Sequence, residues 1–265
     1  VWTWVEDDMR VTGQMAQGRN VVASGSFASA MGDGSDATGN YSHATNRNTT
    51  ASGTCSSAMG EGTEATGTTA HAQGYNTKAL SNYAHSEGYG SIANNTAAHA
   101  EGWNTLASGL FSHASNRNTV ASATCAHAVG EGTEATADAS ASEGYYTVAS
   151  GFAGHAEGYQ TTASAYASSA GGYYTVADQA YQTAVGKYNT AAQVGVLFSV
   201  GNGTAIDMRS DALQIHEDGH AVLAGDLEFA GISLQDTLAN LNSRITALEA
   251  IIEALVGEIT PAEND

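Results

Sequence analysis

The chain has 265 residues with 49 Ala, 31 Gly and a single Pro, so nearly half of its 42% hydrophobic content is one methyl group per residue. Side chains this small, with 8% aromatics and 13% charged residues, cannot fill an ordinary three-layer core at native packing density, and they point instead to a thin, repetitive structure. A formal charge of −19, from 27 acidic and 8 basic residues, repels nucleic-acid phosphates and anionic lipid alike, excluding a nucleic-acid partner.

No apolar run reaches transmembrane length, so membrane insertion is not expected. The first residue is Val1, as in a processed or trimmed piece of a longer chain, and the lack of a visible leader therefore carries no weight. Residues 1–13, with Trp2 and Trp4, form a lead-in without a legible role.

Residues 14–193 are a repeat. Stepping by seven from Ala16 to Ala191 meets 26 positions, of which 24 are Ala and two are Ser (Ser86, Ser142). The true unit is 14 residues, because alternate sevens differ: one half reads His-Ala-Glu-Gly-Tyr (His155–Tyr159), the other Thr-x-Ala-Ser-Gly (Thr147–Gly151). Two residues after the first Ala of each unit stands Gly, from Gly18 to Gly186, replaced only by Asn46 and Asn116. Asn is the residue that best substitutes for Gly at positive φ, so one left-handed turn residue is predicted per unit. Thr or Ser recurs three residues further on (Thr49, Thr63, Thr77, Ser91). Phe27, Tyr41, Cys55, Tyr83, Phe111 and Cys125 share a further phase and are expected to supply the bulk of the core.

A seven-residue apolar period also describes a coiled coil, but Gly in every turn and β-branched Thr and Val would leave no stable helix here. Short strands joined by Gly turns fit better, two per unit, giving about 13 rungs of a flattened coil and an all-β domain. Ser42–Gly67 recurs at Ser112–Ala137, an offset of 70 residues, as a duplicated five-rung block would. At roughly 4.8 Å per rung this separates Cys55 from Cys125 by about 24 Å, far outside disulfide reach; both are expected to be small buried hydrophobes.

The unbroken repeat, with its Ser-x-Ala-x-Gly and Ala-Ser-Gly elements, resembles the head repeats of YadA-like trimeric autotransporter adhesins, which form a left-handed parallel β-roll. Its His-Ala-Glu-Gly flavour is similar to versions in bacteriophage tail fibres and appendages. The resemblance covers about two-thirds of the chain and implies a homotrimer. No membrane-anchor barrel pattern follows the repeat, which favours a phage fibre over an adhesin head.

Residues 194–231 read as a β neck of short strands and Gly turns, with Asp218-Gly219 as a hairpin signal. Residues 232–257 change in kind: Leu234, Leu238, Leu241, Ile245, Leu248, Ile252 and Leu255 follow 4-3 spacing, the seam of a coiled coil. A lone amphipathic helix would show the same pattern. Ser233 and Asp236 resemble a capping box with Asp in place of Glu. Ile at a and Leu at d lean toward a dimer, but Arg244-Ile245-x-x-Leu248-Glu249 resembles a trimerisation signature in which Arg244 reaches a neighbour's Glu249; three chains are expected. The helix is predicted to end near Gly257, and residues 258–265, with Pro261, form a tail.

For chemistry, no GxSxG, HExxH, Walker or CxxC pattern occurs, so no enzyme and no cofactor are expected. Tyr75, Tyr89, Trp103, Tyr145, Tyr159 and Tyr173 follow the turn Gly in one column, with Tyr146, Tyr174 and Tyr188 beside it. They serve either as cover for backbone or a subunit seam, or as platforms for a host-surface glycan or protein receptor. The acidic strings Glu61–Glu64 and Glu131–Glu134 lack calcium-loop spacing. The Thr column admits an ice-binding reading, without the Thr-x-Thr pairs of a two-row face.

His43, His71, His85, His99, His113, His127 and His155 precede the first Ala or Ser of a unit, and Glu87, Glu101, Glu143 and Glu157 follow it. Strand alternation turns that Ala inward and His and Glu outward. By the resemblance, these rows face the other subunits and stack about a threefold axis; an exposed polar row, or capture of a metal or anion by rings of His71, His85 and His99, are the alternatives. The functional expectation is a structural, receptor-binding trimeric fibre segment of a virion or cell surface, joined to a further fibre or baseplate protein. The alternatives are an adhesin head, a ligand-free spacer or an ice-binding solenoid.

Overall fold

A computed structural model describes residues 2–5, 8–11, 13–225, 228–229 and 232–259. Two compact units are present, Val1–His220 and Ala221–Asp265. The first is dominated by a parallel β-solenoid of about 13 turns, preceded by a short antiparallel hairpin of Trp2–Val5 and Asp8–Val11.

Each turn of the solenoid but the last holds a five-residue strand (such as His43–Arg47) and a two-residue strand (such as Thr50–Ala51). Long strands pair only with long strands one rung away, without register shift, so every residue lies on its equivalent 14 positions on. The short strands build a separate 12-stranded sheet. Four residues per rung point inward, and all are small except near the end of the coil, where Gln182 and Asn189 are buried. In the rung of His71 these are Ala72, Thr77, Ala79 and Ala84, each at most 1% exposed. Only side chains of this size let the two sheets approach so closely, which explains the alanine-rich composition.

Three backbone positions per rung have positive φ, where one was expected. The predicted Gly column is one of them, with φ of 121° at Gly74 and 82° at Asn116. A Cβ on Gly74 would overlap the carbonyl oxygen of Gly88 in the next rung, so this column needs Gly for close approach as well as for conformation. The second lies two residues on, at Asn20, Asn48, Asn76, Asn104 and Asn118 (φ 51–53°).

The third is the column of Phe27, Tyr41, Cys55, Tyr83, Phe111 and Cys125, with φ of 56–59°. Its aromatic side chains are not core: Phe27, Tyr41, Tyr83 and Phe111 are 58–64% exposed. Both cysteines are likewise exposed free thiols. The left-handed conformation swings Cβ outward at the turn, which corrects the expectation drawn from phase alone. Thr49, Thr63, Thr77 and Thr105, by contrast, are buried inside the coil and present no ordered array to water, which removes the ice-binding reading of that column.

After Thr183–Lys187 the long-strand sheet continues in parallel into Val196–Asn202, and Asp211–His216 then joins it antiparallel with two irregularities of register. The Asp218-Gly219 turn is present, with Gly219 at φ 88° and His216 N donating to His220 O at 3.0 Å.

In the second unit, the strand Ala221–Leu223 and the hairpin of Glu228–Phe229 with Ile232–Ser233 precede one helix, Leu234–Ile259. Ser233 Oγ accepts from Asp236 N at 2.9 Å, the cap expected at that position. The helix runs past Gly257 to Ile259, two residues beyond the expected end; Pro261 lies outside the described residues. All seven seam residues, from Leu234 to Leu255, are 44–59% exposed in the single chain. No helix among the described residues is long and apolar enough to cross a membrane.

Candidate functional site

Strand alternation and the fixed 14-residue register turn single residues into ladders, and three such ladders carry the chemistry of the first unit. The first lies on the outer face of the long-strand sheet. His71, His85, His99, His113 and His127 stand in direct register, with successive ring centroids 5.0, 4.7, 4.9 and 5.0 Å apart. His43 and His155 are separated from this run, since their rung neighbours are Ser29 and Ser57, and Ala141 and Ser169.

Carboxylates interleave with the rings. Glu87 lies 3.5 Å from His85 Nε2, while Glu101 lies 3.8 Å from His99 and 3.7 Å from His113. Glu157 lies 3.9 Å from His155, and Glu143 is exposed beside it in the next column position. His99 Nε2 and His113 Nε2 are shielded from solvent without a hydrogen-bond partner. Burial, reinforced by neighbouring imidazoles, holds His99 below the ordinary histidine pKa, and burial does the same for His127. Desolvation therefore outweighs the carboxylates at His99 and His127. Among the described residues, no group of three or more His, Cys, Asp or Glu is arranged to hold a metal ion, and His71, His85 and His99 form none within one chain.

The second ladder runs along the turn after the Gly column. From the first rung its residues are Arg19, Asp33, Arg47, Glu61, Tyr75, Tyr89, Trp103, Arg117, Glu131, Tyr145, Tyr159, Tyr173 and Lys187. Arg19 pairs with Asp33, Arg47 with Glu61 and Arg117 with Glu131, each across one rung. These pairs were not singled out in the sequence, although the offset of 14 and the repetition of the Arg47–Glu61 pair at Arg117–Glu131, 70 residues on, are the signal that finds them. Lys78 likewise meets Glu64 at 2.9 Å over the short-strand sheet. The acidic strings at Glu61–Glu64 and Glu131–Glu134 thus spend Glu61, Glu64 and Glu131 on cations of adjacent rungs.

The aromatic members of this ladder stack on one another. Tyr75–Tyr89 and Tyr89–Trp103 have centroids 5.0 and 4.2 Å apart, Tyr145–Tyr159 and Tyr159–Tyr173 4.9 and 5.0 Å, with interplanar angles of 8–21°. Stacking covers the faces of Tyr89 and Tyr159 and turns ring edges and hydroxyls outward, so free faces remain only at the ends of each stack. Tyr146, Tyr174 and Tyr188 add a flanking row. Tyr174 stacks on Tyr188 at 5.0 Å, and Tyr146 and Tyr174 meet Tyr145 and Tyr173 edge-on at 4.6 and 4.7 Å.

The third ladder is the opposite turn, where Phe27 stacks on Tyr41 at 5.3 Å and Phe152 on Tyr166 at 5.2 Å. Sequence phase places Phe27 and Tyr41 in the core, while Phe152 and Tyr166 lie one position earlier in the repeat, in a column that phase does not mark. The comparisons add no relative: no protein-family model matches the chain, and no curated protein matches it.

Proposed function

We propose that the chain is a structural and receptor-binding segment of a homotrimeric fibre, of the kind found in phage tail fibres and related appendages. The observation that carries this reading is the helix Leu234–Ile259, whose seven-residue seam at heptad spacing is exposed along its whole length. A helix with such a stripe is stabilised chiefly by packing that stripe against partners. Arg244 and Glu249, at g and e, match the pairing of a three-stranded coil. In the YadA-like roll that the repeat resembles, the equivalent faces meet about a threefold axis, and the half-buried His and Glu faces of three solenoids would do the same. The exposed aromatic ladders would then face outward to a host-surface glycan or protein, on a virion or cell exterior, while a further fibre or baseplate protein would hold the assembly. No catalytic role, cofactor, nucleic-acid partner or membrane insertion belongs to this reading.

Sedimentation equilibrium of the purified chain tests it. A particle of three times 27.0 kDa is expected, and a monomer at micromolar concentration would overturn the trimer.

A further inference from the structure

We infer that Tyr145, Tyr146, Tyr159, Tyr173, Tyr174 and Tyr188 form one binding surface for an uncharged, extended polysaccharide. This deepens the fibre reading and rests on it for its biological setting.

The position two residues after the turn Gly has a left-handed backbone in every rung from Asn20 to Tyr188, and it is filled by Gly or Asn in all but four of them. Those four are Tyr146, Gln160, Tyr174 and Tyr188, with φ of 50, 50, 54 and 45°. A bulky ring in this conformation is disfavoured where Asn or Gly is at ease. Three such residues in consecutive or alternate rungs stand where Asn is the easier choice for the backbone. Left-handed aromatics also occur on the opposite turn, at Phe27, Tyr41, Tyr83, Phe111 and Tyr181, but Cys55, Thr69, Ala97 and Cys125 divide that column, and its longest run is the stacked pair Phe27–Tyr41. Here both rows of one turn carry rings, six across four rungs, joined throughout by centroid distances of 4.6–5.5 Å, whereas on the opposite turn the two rows meet in a smaller group of Phe152, Tyr166 and Tyr181.

The chemistry of the patch selects its ligand. Six phenols offer apolar ring edges, with free faces at the ends of the stacks, beside hydroxyls that both donate and accept, matching the alternation of C–H and O–H groups on a sugar. Burial keeps the hydroxyls of Tyr145, Tyr174 and Tyr188 protonated to higher pH than usual. No carboxylate stands between the rings. The nearest cations are Arg117, engaged by Glu131, and Lys187 and Arg209 at the far end, with Arg209 donating to Tyr174 O and Asn189 O. Nothing here gathers positive charge for a phosphate, sulfate or uronate, and a chain of net charge −19 repels polyanions. Rings repeating at about one pyranose length along a straight edge suit a linear sugar chain laid parallel to the solenoid axis.

The test is retention of the full chain on immobilised dextran, mannan and galactan, with hyaluronan and dextran sulfate as anionic counterparts, at low and high salt. The Tyr146→Asn, Tyr174→Asn variant carries the residue this column normally holds, so it is expected to melt no lower than the parent. The expected result is salt-insensitive retention of the parent on at least one neutral polysaccharide, weakened about tenfold or more in the variant, the scale of losing two aromatic anchors. Equal retention of parent and variant, no retention on any neutral polymer, or retention only on the anionic polymers and abolished by salt would each overturn the inference. A trimer that fails to retain sugar sinks this inference alone, whereas a monomer that retains it sinks the trimer alone.

Discussion

Asn189 forms two hydrogen bonds with Val176, its Oδ1 accepting from Val176 N at 2.7 Å and its Nδ2 donating to Val176 O at 2.8 Å. A buried side-chain amide thus completes the short-strand sheet where a further rung's backbone would stand. Gln182 Oε1 acts similarly on Asp178 N and Gln179 N, at 2.9 and 3.1 Å. Asn189→Ala strands both groups of Val176, a cost of about 1–3 kcal/mol. Amide exchange at Val176 should accelerate while that at Val120 stays slow; equal protection of Val176 in parent and variant would show that the amide is not the cap.

The Gly column makes a sharper demand. Gly74→Ala places a methyl against the carbonyl of Gly88 in a backbone conformation that L-residues rarely enter, and should destabilise by about 2–4 kcal/mol. At Asn116, where φ has relaxed to 82°, Val should cost about 1–2 kcal/mol and Gly little. Denaturant melts of the three variants rank them, and a neutral Gly74→Ala would contradict the close approach between rungs.

Acid should weaken the solenoid at the histidine ladder. His99 and His127 have pKa values depressed in the folded chain, so the unfolded chain binds protons first as pH falls. Stability is then unaffected above the ordinary imidazole value and is lost progressively below about pH 6.5. Glu87, Glu101 and Glu143 oppose this without cancelling it. Melting temperatures from pH 8 to pH 5 should fall, and His99→Gln should flatten the slope; a parent profile that rises in acid would mean that carboxylate pairing dominates.

Arg244→Ala combined with Glu249→Ala should lower the melting temperature of the assembly or shift its mass, each exposed pair contributing up to about 1 kcal/mol. Unchanged mass and melting would remove the trimer signature from the case. Leu241→Asp with Leu248→Asp goes further and should yield monomers by light scattering.

The 14-residue unit, the inward alanines and the capped helix start at Ser233 were legible because each is set by neighbours along the chain. Phase alone could not tell that Phe27 and Cys55 face outward. That depends on a left-handed backbone at a position where no Gly announces it, while Gly18 announced its own. Nor did the buried Thr77 read as interior, since a hydroxyl beside a turn is ordinarily solvated. The Arg47–Glu61 pair and the Asn189 cap join residues 14 and 13 apart, distances at which only the completed register brings side chains together. The histidines were visible as a column, but the dominance of burial over Glu101 needed the spacing of the rings.

One consequence of the strict register concerns how such a chain can change. Because every rung hands its hydrogen bonds and its ladders to the next without a shift, removing one residue from a rung would turn inward side chains outward there and offset every ladder beyond it. Removing a whole unit, such as residues 57–70, merely brings Ser56 to His71 and leaves each column intact. Length is therefore quantised: this domain can be shortened or lengthened by entire turns at little cost, and the 70-residue echo between Ser42–Gly67 and Ser112–Ala137 is what an insertion of five such quanta leaves behind.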